Sequence, residues 1–127
     1  MGKTKSTTKK VKESQLILDV AIKGLQEVKG ENIVCIDLKG IENAVCDYFL
    51  LCTGTSNTHV NALANAVEKE VRETLKEKPW HTEGVNNAEW IILDYVNTVV
   101  HIFQEEAREF YNLEGLWADA TISKIED

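Results

Sequence analysis

The residues best suited to chemistry cluster in two places. The first is Trp90-Ile-Ile-Leu-Asp-Tyr95, followed after Val96-Asn97 by Thr98-Val-Val-His-Ile-Phe103. Both runs are rich in β-branched, aliphatic and aromatic residues, which predicts a hairpin turning at Val96-Asn97. A two-residue turn sets the register, and residues opposite one another share a face. One face then carries Ile91, Leu93, Tyr95, Thr98, Val100 and Ile102 and is core. The other carries Trp90, Ile92, Asp94, Val99, His101 and Phe103, with large aromatics beside an acid and a histidine. Such mixtures of anchors and polar groups characterise recognition surfaces. The same spacing also allows Asp94 and His101 to pair beneath a following helix. That helix is expected from Gln104 to Asn112, with Ala107, Phe110 and Tyr111 on one side. In it Glu105, Arg108 and Glu109 fall at i, i+3 and i+4, which alone describes a solvated face.

The second place is Thr53-Gly-Thr-Ser56, between a strand-like run and a helix-like one. Amides at a helix start can cradle an anion. The segment lacks both the dinucleotide fingerprint and the phosphate-loop lysine, and it reads first as an ordinary turn with a helix cap. A nucleotidyl-transfer enzyme built on such a turn also needs paired carboxylates to hold divalent metals. Asp37, Asp47 and Asp94 stand singly on separate segments, and the adjacent Glu105 and Glu106 diverge on a helix. No Ser or Cys has a base in motif context. Cys35, Cys46 and Cys52 show no C-x-x-C spacing and read as reduced, buried thiols. His59, His81 and His101 are scattered. No catalytic residue, cofactor or metal site is indicated.

A scaffold must position these groups. Ser14 can cap a helix in which Leu16, Ile17, Val20, Ala21, Gly24 and Val28 recur at helical spacing, with Gly30 as its stop. Ile33 to Leu38 and Tyr48 to Cys52 are short apolar runs, as expected of strands covered on both faces. Val60, Leu63, Ala64, Val67, Val71 and Leu75 form the stripe of a long helix that ends before Pro79. With the hairpin and last helix, the order α-β-β-α-β-β-α predicts an α/β fold, a sheet of mixed direction layered with helices.

The chain has 127 residues, 43% hydrophobic and 28% charged, which is one domain with a sizeable core. Residues 1–12 hold five lysines and no acid; with −7 over the whole chain, the remainder carries −12. An acidic body suits a basic partner and is a poor general binder of phosphate backbones. The division expected is a basic flexible leader over 1–12, one domain over 13–117 and a tail over 118–127 that frays. The leader reads as a solubilising tail or as an arm touching RNA. No apolar run approaches the ~20 residues of a membrane span. No secretory signal is present, and a Lys-rich leader without Arg argues against a transit peptide, so a cytoplasmic protein is expected.

Three segments together resemble the ribosomal silencing factor family, also called RsfS or Iojap. They are Asp47-Tyr-Phe-Leu-Leu-Cys-Thr-Gly-Thr-Ser-Asn-Thr-His-Val60, then Glu83-Gly84 with Trp90-Ile-Ile-Leu-Asp-Tyr95, then Val100-His-Ile-Phe-Gln-Glu-Glu-Ala-Arg-Glu-Phe-Tyr-Asn-Leu-Glu-Gly-Leu-Trp117. The resemblance implies a nucleotidyltransferase-like fold without the catalytic carboxylates: a mixed β-sheet flanked by helices. It implies binding to the large ribosomal subunit through ribosomal protein L-fourteen, a steric block to subunit joining, repression of translation under nutrient limitation, and a homodimer in isolation. By position, Trp90, Asp94, His101, Gln104, Glu105 and Arg108 match its characteristic stretches and are the expected partner surface. Trp90 would be the anchor, and Asp94 and Glu105 would pair with basic groups. Val96-Asn97 stand where the family's turn is usually Gly-Asp. An active nucleotidyltransferase using the 53–56 turn, and a large-subunit assembly factor, are the alternatives.

Overall fold

A computed structural model describes residues 2–126, with side chains described from Glu13 to Glu126. The elements run α1 (Gly2–Glu27), β1 (Glu31–Asp37), β2 (Tyr48–Gly54), α2 (Asn57–Leu75), β3 (His81–Glu83), β4 (Trp90–Asp94), β5 (Thr98–Gln104), α3 (Glu105–Tyr111), α4 (Leu113–Leu116) and β6 (Thr121–Lys124). The strands form one sheet in the order β3-β4-β5-β2-β1-β6. β2 and β5 are parallel, and the other neighbouring pairs are antiparallel. The sheet is therefore mixed, as the α/β reading predicts.

Alternation along the strands divides the core in two. Tyr48, Leu50 and Cys52 of β2 point to a face that packs Ile17, Leu18, Ala21 and Leu25 of α1 and Val60, Leu63, Ala64, Val67 and Val71 of α2. Burying each such Leu or Val contributes about 1.5–3 kcal/mol, so this layer supplies much of the fold's stability. Phe49 and Leu51 point the other way, to a face shared with Val34, Ile36, Leu38, Val99 and Phe103. The short α3–α4 pair lies over that face, through Ala107, Leu113 and Trp117. Strands covered on both sides leave no polar alternation, which is why β1 and β2 read as continuous apolar runs.

The hairpin has the predicted register, from Trp90 opposite Phe103 to Asp94 opposite Val99. Tyr95 N donates to Thr98 O at 2.9 Å, closing the two-residue turn. Val96 holds φ 75° there, an outlier for a β-branched side chain, and its N–H donates to Asp94 Oδ1 at 2.7 Å.

Several local expectations are corrected. Residues 81–83, which the element order read from the sequence does not include, form β3, which is too short to show a period. Thr121–Lys124 lie in the stretch expected as a tail and pair with β1 as β6; all four are exposed, so no apolar pattern marks them. The left-handed residue after α1 is Lys29, φ 59°, and not Gly30, whose missing Cβ makes room for the Cys52 thiol. Ser14 lies within α1, where its hydroxyl donates to Asp47 Oδ2 at 2.9 Å and its carbonyl accepts from Thr98 Oγ1 at 3.0 Å. Ala107, Phe110 and Tyr111, expected on one side of the last helix, share no buried face: Phe110 is 81% and Tyr111 50% exposed. The side chains of the leader, residues 1–12, lie outside those described.

Candidate functional site: the second face of the sheet

Trp90 opens β4 and is half-buried. Its Nε1 donates to His101 Nδ1 at 3.1 Å. Phe103 stacks on it with ring centroids 5.0 Å apart, and Tyr111 of α3 flanks it at 4.5 Å. His101 itself is buried, so it forms the floor beneath Trp90 and not part of the open surface. Because Nδ1 accepts the indole proton, the ring is neutral with its own proton on Nε2. That Nε2 has no hydrogen-bond partner and is buried against Phe49, whose ring meets the imidazole edge-on at 4.5 Å. Burial holds the pKa down at about 4. The pairing of Asp94 with His101 does not form. His101 is opposite Ile92 and Asp94 opposite Val99, and the Asp94 carboxylate takes the Val96 amide.

Asp94 is also remote from Trp90. Four residues of strand separate them, about 13 Å at ~3.3 Å per residue. The expected surface is thus split along β4. Trp90 stands at the α3 end with Gln104 and Glu105, and Asp94 stands at the hairpin turn.

At the α3 end, Gln104 braces the chain that leads into β4. Its Nε2 donates to Ala88 O at 3.0 Å and its amide to Glu89 O at 2.8 Å. Glu105 is exposed in the first turn of α3. Arg108 is held inward. Its Nη1 donates to Asn32 O at 2.6 Å and Thr53 Oγ1 at 2.9 Å, and its Nε and Nη2 donate to the two carboxylate oxygens of Glu114 at 3.2 and 3.3 Å. It clasps α3 and α4 to the sheet and presents little free charge.

The 53–56 turn is an ordinary capped helix start. Ser56 Oγ accepts from His59 N at 3.1 Å, and Thr55 N donates to His59 Nδ1 at 2.9 Å. The hollow beside it is lined by Glu31, Glu105 and Glu106, with Thr53, Gly54, Thr55 and Gln104, and no cation. Three carboxylates oppose a polyphosphate there. Among the described residues no group of three or more His, Cys, Asp or Glu could hold a metal ion. The three thiols are buried, which pushes Cys35 up to about 11 and Cys46 and Cys52 to about 12, well away from thiolate reactivity.

Sequence reasoning missed Trp80 and Val45, both strongly exposed, which join Val96 around Asp94 in an apolar groove. A signal existed: Trp80 is a lone aromatic in the polar stretch Lys76 to Glu83.

A mixed sheet with one face packed by α1 and α2, and a second that the α3–α4 pair covers in part around a braced tryptophan, defines a small two-faced α/β protein. The chain belongs to the ribosomal silencing factor family: the family model described as "Ribosomal silencing factor during starvation" matches residues 11–127. A ribosomal silencing factor of Halalkalibacterium halodurans is 35% identical over 113 residues, 89% of this chain and 95% of that one. One from Haemophilus influenzae is 37% identical over 102 residues, 80% of this chain and 98% of that one. A crystal structure of a Chromobacterium violaceum protein superposes with a TM-score of 0.78 at 30% identity, covering 90% of this chain and 93% of that one. A more distant mouse relative, named mitochondrial assembly of ribosomal large subunit protein 1, is 28% identical over 102 residues, 79% of this chain and 44% of its own. No helix among the described residues is long and apolar enough to cross a membrane.

Proposed function

We propose that the protein docks on the large ribosomal subunit through ribosomal protein L-fourteen and, by standing there, prevents the small subunit from joining, which represses translation when nutrients are limiting. The observation that carries this reading is the state of Trp90. Its indole is fastened from behind by His101, stacked on Phe103 and flanked by Tyr111, yet it keeps a minority of its surface open on a face that the chain covers only in part. A pre-positioned aromatic loses little freedom on binding, which is what a hot-spot anchor requires. Glu105 beside it, and Asp94 at the far end of β4, give the face its negative sign. A basic ribosomal protein complements that sign.

Catalysis has no part in this reading, because the hollow beside the 53–56 turn repels the phosphates a nucleotidyltransferase must hold. The site of action is the cytoplasm, the free form is a homodimer, and the five lysines of the leader offer a contact to ribosomal RNA. The name of the mouse relative favours a second reading, in which docking serves large-subunit assembly. Co-sedimentation with mature and precursor subunits separates the two.

The test of the partner is a pull-down with isolated ribosomal protein L-fourteen. The wild-type chain is retained, and Trp90→Ala, folded by circular dichroism, loses at least ~30-fold in affinity, about 2 kcal/mol. Equal retention of both would remove Trp90 from the interface. Retention of neither would remove the partner.

A further inference from the structure

The hairpin end of the second sheet face carries an apolar groove built around one acid. Val45, Cys46, Trp80, Asp94, Val96 and Val99 line it, and its volume is ≈ 370 Å³. Val45, Trp80 and Val96 are 80%, 78% and 56% exposed, so three large apolar side chains stand in solvent around one carboxylate. Exposed apolar residues grouped around a polar centre mark an interaction site. Asp94 is the only ionisable group of the six apart from the buried Cys46 thiol, which burial keeps protonated. One of its oxygens is committed to the Val96 amide, which fixes the carboxylate's direction. His81, opposite Asp94 across the β3–β4 ladder, is paired with Glu83 at 2.8 Å, and no cation stands among the residues that line the groove.

We propose that this groove receives an arginine side chain of the basic protein on which the chain docks. The chemistry matches part by part. The flat, exposed indole of Trp80 offers a π face to a guanidinium, and Asp94 offers the carboxylate among the lining residues. Val45, Val96 and Val99 offer apolar wall to the aliphatic stem. An arginine satisfies all three at once, whereas an acidic, purely apolar or phosphate-bearing group meets the carboxylate unfavourably or leaves it unpaired. With Trp90 about 13 Å away along β4, the groove makes a second contact point on the same face, so one extended partner engages both.

The inference rests on the docking reading, and the experiment keeps the two apart. Binding of the full chain to purified large subunits is measured at two salt concentrations for wild type, Trp90→Ala, Trp80→Ala and Asp94→Asn. Sedimentation velocity is run on the free proteins. Trp80 is exposed, and the amide side chain introduced by Asp94→Asn keeps an acceptor oxygen for the Val96 amide, so both groove variants retain the fold. The expected result is a loss of ~10-fold for Trp80→Ala and ~5-fold for Asp94→Asn, with a weaker salt dependence for Asp94→Asn than for wild type. Groove variants that bind within about twofold of wild type, while Trp90→Ala fails, overturn the groove and leave the docking reading standing. Groove variants that change only self-association assign the groove to a second copy of the chain and also overturn the proposal. A wild-type chain that does not bind large subunits overturns the docking reading and the groove's occupant with it.

Discussion

Three side chains set the terms of the second face, and each makes a separate prediction. His101 is held neutral by burial, with a pKa lowered from 6.5 to about 4. The unfolded chain binds this proton at higher pH than the folded one does. The His101 contribution to stability is therefore full above pH 6.5, falls as the pH drops from 6.5 towards 4, and changes no further below that, a loss of about 3 kcal/mol from this group. Urea unfolding across this range measures it, and His101→Phe flattens that part of the profile while freeing the Trp90 indole proton. Arg108 fills acceptors on three segments, so Arg108→Ala leaves Asn32 O, Thr53 Oγ1 and the Glu114 carboxylate without their donor. A loss of about 2–3 kcal/mol is expected by denaturant titration, and Arg108→Lys does not restore it because a lysine lacks the planar fork. Val96 works against its own backbone at φ 75°. Val96→Gly raises stability by about 1 kcal/mol in the same titration.

Among the elements, the β4–β5 hairpin is the most legible in the sequence. Side chains alternate between the two faces along Trp90–Asp94 and again along Thr98–Phe103, so one turn places every side chain on its face. The capped turn at Ser56 and the α2 stripe are equally readable, because each depends on contacts within a few residues. What stays hidden depends on distant partners. β6 is a strand only because β1 offers it an edge, and β3 because β4 does. Arg108 reads as one charge of a solvated helix, since nothing local reveals that Asn32 O and Thr53 Oγ1 lie 76 and 55 residues away. The spacing of Phe110 from Ala107 suits an inward helix face, yet α3 leaves no residue buried. Gly84 belongs at this scale. It sits at φ +84° where a Cβ would overlap the Trp90 carbonyl. Gly84→Ala therefore forces the β3–β4 junction apart and shifts Trp90. Backbone amide shifts of residues 81–94 should move together, and affinity for the large subunit should fall with them.

At the scale of the whole molecule, a net charge of −7 favours basic protein surfaces, and on the docking proposal the rigid Trp90 anchor gives the encounter its specificity. On the docking reading proposed above, the protein acts by occupying space, so its effect saturates with binding. Association with the large subunit should slow as salt rises, while dissociation should change less. The most direct test of this account is subunit joining followed by light scattering, with large subunits preloaded with saturating protein before small subunits are added. The account predicts that joining stops with the wild-type chain and resumes with Trp90→Ala at the same concentration. Joining that proceeds undiminished with the wild-type chain fully bound would contradict it.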